Sequence, residues 1–170
     1  MRGPLSKQRT DAACAAETGE HVTTSNLIVA RCRDGRVIRG TTNDIAMARP
    51  EFHVTEPDKP RPTKVVCSEL KAAFFVRSLT GDPSRADVRG FVGGPGETRY
   101  GRKVAVLFED GELLCGYTQS YSPERDRFFL FPADPNGNNQ RVLVFKAATK
   151  RIEVGPAAEA LAAASLKPTA

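Results

Sequence analysis

The chain of 170 residues has no tryptophan, only two histidines and four widely spaced cysteines. The cysteines, at positions 14, 32, 67 and 115, never occur as a C-x-x-C pair. Structural zinc sites need clustered cysteine and histidine ligands, so this spacing predicts no metal site. Cys32, Cys67 and Cys115 lie within apolar runs, where a reduced thiol packs as a small hydrophobic group.

Long apolar segments are lacking too. No run approaches the roughly 18 apolar residues that a membrane-spanning helix requires. No apolar stretch follows the first seven residues, as it would in a secretory signal. We therefore expect a cytoplasmic protein that does not enter a membrane.

The motifs of common catalytic and cofactor sites are also missing. The chain has no G-x-S-x-G, no G-x-G-x-x-G and no G-x-x-x-x-G-K-[ST] motif. The loop that begins at Asp134 starts like a calcium loop, but Asn139 stands where glycine is needed and Phe145 where a bidentate glutamate is needed. His53 has no nucleophile beside it in the sequence. We predict no catalytic residue, no cofactor and no bound metal.

Two segments of the chain, 76 residues apart, resemble each other. Residues 28–54 and 104–130 align without a gap and keep apolar character at the same positions. The identical pairs are Asp34/Asp110, Gly35/Gly111, Gly40/Gly116, Thr42/Thr118, Arg49/Arg125 and Phe52/Phe128. Such self-similarity indicates a structural unit that occurs twice.

Each copy has the pattern of a short, bent sheet. Asp-Gly between two alternating runs predicts a tight hairpin, and the later glycine lies inside the second strand, where it permits a bulge or sharp bend. Further strands are predicted at 51–55, 63–67 and 72–77, and at 127–131, 141–145 and 150–154.

The fold class that follows is mainly β, with two tandem five-stranded small barrels. Residues 26–77 form the first repeat and 102–154 the second, joined by a Gly/Pro-rich connector at 78–101. We expect flexible tails: residues 1–25 lack periodicity and indicate disorder, and 155–170 form a C-terminal tail with at most a short, marginal helix. One antiparallel sandwich of all ten strands is the alternative.

Several phrases resemble a family of small bacterial domains of unknown function that occur alone or beside signalling domains. They are RDGRVIRGTTND (33–44), PEFHVT (50–55), LKAAFFVRSLTGD (70–82), FEDGELLCGYT (108–118) and FFLFPADPNGNN (128–139). The resemblance covers about residues 26–154. It implies these boundaries and a bacterial source, and no activity.

The strand order is similar, more loosely, to that of the bacterial Sm-like RNA chaperone, a small β-barrel. Phe145, Lys146, Ala147 and Ala148 stand where that family has an aromatic-Lys-His-Ala motif. Ala147 replaces the histidine, so the family's RNA contact is not expected at this position.

Arg31, Arg33 and Arg39 are the first candidate surface. With a three-residue hairpin loop at 34–36, strand alternation turns these three side chains away from the core. Together with Lys146 they could bind a polyanion or an acidic partner. A charged strand face that only discourages aggregation is the simpler alternative.

Leu107, Leu113, Cys115 and Tyr117 are the second candidate surface. The same geometry turns them outward in the second copy, where an apolar face of this size requires a cover. We expect them to pack against the first barrel or against a second molecule.

These observations predict a non-catalytic protein-interaction or regulatory module of a bacterial cytoplasm, with another protein as its partner and self-association as a further option. The alternative is RNA binding through the basic face of the first repeat, which carries ten basic and six acidic side chains over residues 26–77.

Overall fold

The structure is a computed structural model that describes residues 25–91 and 97–167. The prediction of a disordered N-terminal tail, together with Cys14, lies outside the described residues. So do residues 92–96 of the predicted connector and residues 168–170 of the predicted C-terminal tail.

The described residues are mainly β, as predicted, and every predicted strand falls on an observed one. The strands are β1 (Asn26–Cys32), β2 (Val37–Thr42), β3 (Glu51–Val54), β4 (Thr63–Val66), β5 (Leu70–Val76), β6 (Arg102–Phe108), β7 (Leu113–Thr118), β8 (Arg127–Pro132), β9 (Asn139–Phe145) and β10 (Thr149–Val154). Two helices, α1 (Glu97–Tyr100) and α2 (Pro156–Leu166), complete the fold, with 3-10 turns at Cys67–Glu69 and Lys146–Ala148.

Eight strands form one antiparallel sheet in the order β10-β6-β7-β8-β9-β5-β1-β2, and β3 and β4 form a second, two-stranded sheet. A single bridge between Thr41 and Thr55 joins β2 to β3. Within the described residues the strand pairings close no barrel, which corrects the prediction of two closed barrels. The reason is that β5 pairs on one side with β1 and on the other with β9, a strand of the other half.

The first hairpin turns one residue earlier than predicted. The amide of Cys32 donates to the Arg36 carbonyl at 2.8 Å, so the loop is 33–35 and not 34–36. Gly35 adopts the left-handed conformation with φ of 93° that the turn requires. Moving the turn by one residue changes each residue's partner on the other strand by two positions. The side chains therefore keep their predicted faces.

Gly40 of β2 and Gly116 of β7 lie where a neighbouring backbone comes very close. A Cβ on Gly40 would lie 2.1 Å from the Thr55 carbonyl oxygen, and one on Gly116 would lie 2.2 Å from that of Phe131. Only glycine leaves room for the next strand to cross here, which agrees with the role predicted for this position.

The two halves of the chain, 26–77 and 102–154, contribute side chains to each other's core. Leu143 and Phe145 of β9 pack into the core of the first half, beside Ile28 and Phe52. In return Ala72, Phe74 and Val76 of β5 pack into the core of the second half. A third cluster lies on the outer face of β6 and β7, beneath α2.

Candidate binding groove

A cleft of about 680 Å³ opens where the connector, the β6–β7 hairpin and the end of α2 meet. It is lined by Arg31, Phe74, 86–90, 111–115, 132–134, Gly137, Asn139, Ser165 and Leu166. A second concavity of about 180 Å³ shares Arg31, Phe74 and Asn139 with it and adds Arg39, Val29, Val76, Asn138 and 79–81. We call the two together the groove.

The connector forms one wall of the groove because polar contacts hold it against the β8–β9 loop. Ser78 and Asn138 bond reciprocally: the Ser78 amide donates to the Asn138 side chain at 3.0 Å, and the Asn138 amide group donates to the Ser78 carbonyl at 2.9 Å. Arg85 binds Asp134 at 2.6 Å. The predicted connector is therefore ordered over 78–91.

Asp134 is the acceptor that fixes this wall. Its carboxylate also accepts the amides of Val88 and Asn136. Burial raises the pKa of Asp134, but these hydrogen bonds and Arg85 outweigh burial and hold the pKa below its usual range. The carboxylate is thus ionised and already occupied by its own chain.

The opposite wall, the tip of the β6–β7 hairpin, is held by a buried lysine. Lys71 of β5 contacts the carboxylates of Asp110, at 2.5 Å, and Glu112, and lies 4.6 Å from the centre of the Phe108 ring. Lys71 is buried, whereas both carboxylates reach water. Arg31 adds a longer contact of 3.3 Å to Glu112.

The predicted basic surface is divided by the fold. Arg31 and Arg39 line the groove together. Arg33 lies apart and pairs with Glu109 at 3.4 Å, and the Lys146 ammonium donates to the Pro123 carbonyl at 2.5 Å. The structure therefore brings together two of the four candidates, and each of the other two has a partner in its own chain.

The predicted apolar surface lies on the outer face of β6 and β7, where α2 covers it. Cys115 and Tyr117 are buried in one cluster with Leu161 of α2, and Leu107 and Leu113 pack half-buried against it. Helix α2 of the same chain supplies the cover that was expected from the first barrel or a second molecule. An Ala-rich helix of eleven residues is weak alone and gains its stability from this packing.

The buried thiols are poor nucleophiles. Burial raises the pKa of Cys115 to about 11, and it also raises the pKa of Cys32 and Cys67. The His53 ring bonds to Asp44 at 2.8 Å, on an exposed strand face. In the two described stretches, no group of three or more His, Cys, Asp or Glu side chains could hold a metal ion.

The acid stability of the chain should depend on Asp110. The hydrogen bond from Lys71 is the largest cause of its lowered pKa, whose ordinary value is 3.8. Stabilisation from a depressed carboxyl pKa is complete above the unfolded value and is lost as the pH falls through the folded value. Below about pH 4, the urea midpoint of the wild type should fall more steeply with decreasing pH than the urea midpoint of Asp110→Asn.

The control for this measurement is Asp58→Asn, which changes an exposed aspartate outside the groove. It should keep the wild-type slope between about pH 5 and pH 2, where carboxylates with lowered pKa values titrate. If Asp110→Asn and Asp58→Asn give parallel curves, the contact with Lys71 does not contribute to acid stability.

Four residues of the groove region were missed from the sequence, although each left a signal. Lys71 is a single charge inside the apolar run 70–76. Val88 and Arg89 lie in the connector, whose unusual length is typical of a mobile or a functional loop. Leu166 ends the Ala-rich segment that was predicted to be a marginal helix.

Comparison with known proteins gives a family without an activity. No helix in the described parts of the chain is long and apolar enough to cross a membrane. No curated protein matches the chain, and no solved structure does. Residues 24–155 match a family of unknown function, DUF6982, which agrees with the resemblance noted over about residues 26–154. The chain therefore belongs to the DUF6982 family.

Proposed function

We propose that this chain is a non-catalytic protein-interaction module that binds its partner in the groove. The observation that carries the proposal is the placement of exposed apolar side chains. Three large hydrophobic residues in the described chain are exposed: Val88 at 45%, Val37 at 43% and Leu166 at 38%. Two of them, Val88 and Leu166, line the same cleft. Exposed apolar groups that converge in a concave site favour a binding function.

A catalytic role has less support. A thiol attacks as the thiolate, and burial keeps the three described thiols protonated at neutral pH. His53 is oriented by Asp44 but lies outside the groove. We therefore propose binding without chemistry, and a regulatory role in a bacterial cytoplasm remains part of that proposal.

RNA binding, the alternative, is also less well supported. Glu112 and Glu109 compensate Arg31 and Arg33, which leaves less free positive charge than the sequence suggested. Single-stranded RNA sites usually offer exposed aromatic rings for stacking. Among the described residues, Phe74 is the one aromatic residue that lines the groove, and it is buried beneath Arg31, 4.9 Å from the guanidinium carbon.

We also propose that the two halves are copies of one five-stranded unit. The pairing registers support this: Ile28 lies opposite Gly40 as Val104 lies opposite Gly116. The last strands agree as well, since Leu70 opposes Cys32 and Thr149 opposes Phe108, each beside a bulge. Along these later strands the two copies are 79 residues apart, compared with 76 along the first hairpin. The second copy therefore carries three extra residues before β9, in the loop that forms part of the groove.

Self-association through the free strand edges has weaker support than binding of a different protein. In the internal pair of β5 and β9, Phe74 and Leu143 are apolar and buried. In the proposed alignment Phe74 corresponds to Glu153 of β10, and Leu143 corresponds to Lys64 of β4. Both β10 and β4 are outer strands. Charged residues on edge strands oppose pairing with another chain.

The experiment is capture of partners from the native cell on the immobilised full chain. We expect Val88→Asp and Leu166→Asp to lower recovery of the specific partner more than about tenfold, since a charge is placed in an apolar contact. The control is Val37→Asp, which changes an equally exposed valine outside the groove and should leave recovery unchanged. Equal recovery with all the variants would exclude the groove as the binding site.

A further inference from the structure

Within the parts of the chain that the structure describes, the edge of β7 is unpaired at Leu113, where it faces the cleft. The Phe108 amide donates to the Glu112 carbonyl at 2.9 Å, and Leu107 lies opposite Leu113. Because hydrogen-bonded pairs alternate along an antiparallel ladder, the Leu113 amide and carbonyl point away from β6, toward the cleft. No bond from either group to another described residue is found.

The sequence explains why β8 leaves this edge open. The last bond of the β7–β8 ladder runs from the Ala133 amide to the Cys115 carbonyl at 3.0 Å. The next residue that could donate toward Leu113 is Pro135, which has no N–H, and the chain turns away at Asp134. The ladder therefore stops one step short, inside the cleft.

The uncompensated charge of the groove is positive. Glu112 is held by Lys71, and Asp134 is held by Arg85. Arg39 in the smaller concavity and Arg89 in the larger are exposed, and no ion pair of either is found with the described residues. Of the described carboxylates that line the groove, Asp87 alone lacks such a contact.

We infer that the groove binds an extended acidic segment of another protein, which adds as a strand beside Leu113 of β7. This inference rests on the proposed function and names its partner. The main chain of the segment bonds to the open edge, as in other cases of strand addition. Its apolar side chains contact Val88 and Leu166, and its carboxylates bind Arg39 and Arg89.

The test begins with selection of random twelve-residue displayed peptides on the immobilised full chain. We expect the selected peptides to combine acidic residues with apolar residues at alternate positions. A selection that yields no binder overturns both the inference and the proposed function. If the selected peptides lack acidic residues but no longer bind to Val88→Asp, the inference is overturned and the proposed function stands.

The arginines are tested with one selected peptide, labelled and followed by fluorescence polarisation. Each of Arg39→Ala and Arg89→Ala should weaken binding about fivefold, which is the upper range for an exposed ion pair. The control Arg125→Ala changes an exposed arginine outside the groove and should have no effect. Equal affinity for all three variants would overturn the assignment of the carboxylates.

Strand addition is tested on the same peptide by N-methylation of its backbone. Amides on one edge of the added strand face β7, and those on the other edge face away. Methylation of one alternate set should weaken binding at least about tenfold, and methylation of the other set should change it less than about twofold. Equal effects of the two sets would overturn strand addition. Labelled oligouridine is measured in parallel, and tighter binding of it than of the peptide would overturn the choice of a protein segment.

Discussion

Gly116→Ala should lower the free energy of unfolding by about 3 kcal/mol, at the upper end of what overpacking costs. The added methyl group would lie 2.2 Å from the Phe131 carbonyl oxygen and 2.6 Å from Leu130 Cδ2. The carbonyl belongs to β8, whose backbone cannot move without breaking its ladder with β7. Urea denaturation followed by circular dichroism measures the loss.

Gly137→Ala is the matched control for this substitution. Gly137 is also buried, but a Cβ there would meet its nearest neighbour, the Asp134 carbonyl oxygen, at an ordinary 3.4 Å. We expect its stability to stay within about 1 kcal/mol of the wild type. A loss for Gly116→Ala no larger than that of the control would mean that the strands can separate at little cost.

The double substitution Asp110→Asn, Glu112→Gln should be nearly as damaging, with a loss of about 3 kcal/mol. It leaves the buried ammonium of Lys71 without a counter-charge, and a buried charge without a partner is strongly destabilising. Thermal unfolding at pH 7 gives the difference. For a chain of this size the melting temperature should fall by roughly 6–12 °C.

Removing the lysine should cost less than removing its partners. Lys71→Met keeps an apolar chain of similar length in the buried position, and the side chains of Asp110 and Glu112, 56% and 38% exposed, can return to water. We expect a loss within about 1 kcal/mol. A larger loss for Lys71→Met than for the double substitution would contradict this expectation. It would mean that the attraction between Lys71 and the two carboxylates, and not the cost of an unpaired buried charge, determines the stability of the hairpin tip.

Local patterns were sufficient to predict the strands of this fold. Alternation placed Arg31 and Arg39 outward and Ile28 and Ile38 in the core, and the burial of these residues agrees. The Asp-Gly signal located both hairpins, because a positive φ at glycine is a requirement that the sequence itself shows. The turn was misplaced by one residue, since side-chain patterning is insensitive to a shift of two in the pairing.

The groove could not be predicted, because it depends on contacts between distant segments. The bonds of Ser78 to Asn138 and of Arg85 to Asp134 join residues about 50 to 60 positions apart. Nothing local in either segment specifies the other. For the same reason the sequence could not show that α2 covers Cys115 and Tyr117, nor that Glu112 lies beside Arg31.

The exchange between β5 and β9 has a consequence for how the chain unfolds. Each half completes the other's core. If the halves separated, the first core would lose Leu143 and the second core would lose Phe74. A single cut in the connector would therefore release two fragments that are each incomplete, and that recover a full interior only by reassociating. We therefore expect the two halves to unfold as one cooperative unit, although the sequence repeats its pattern twice.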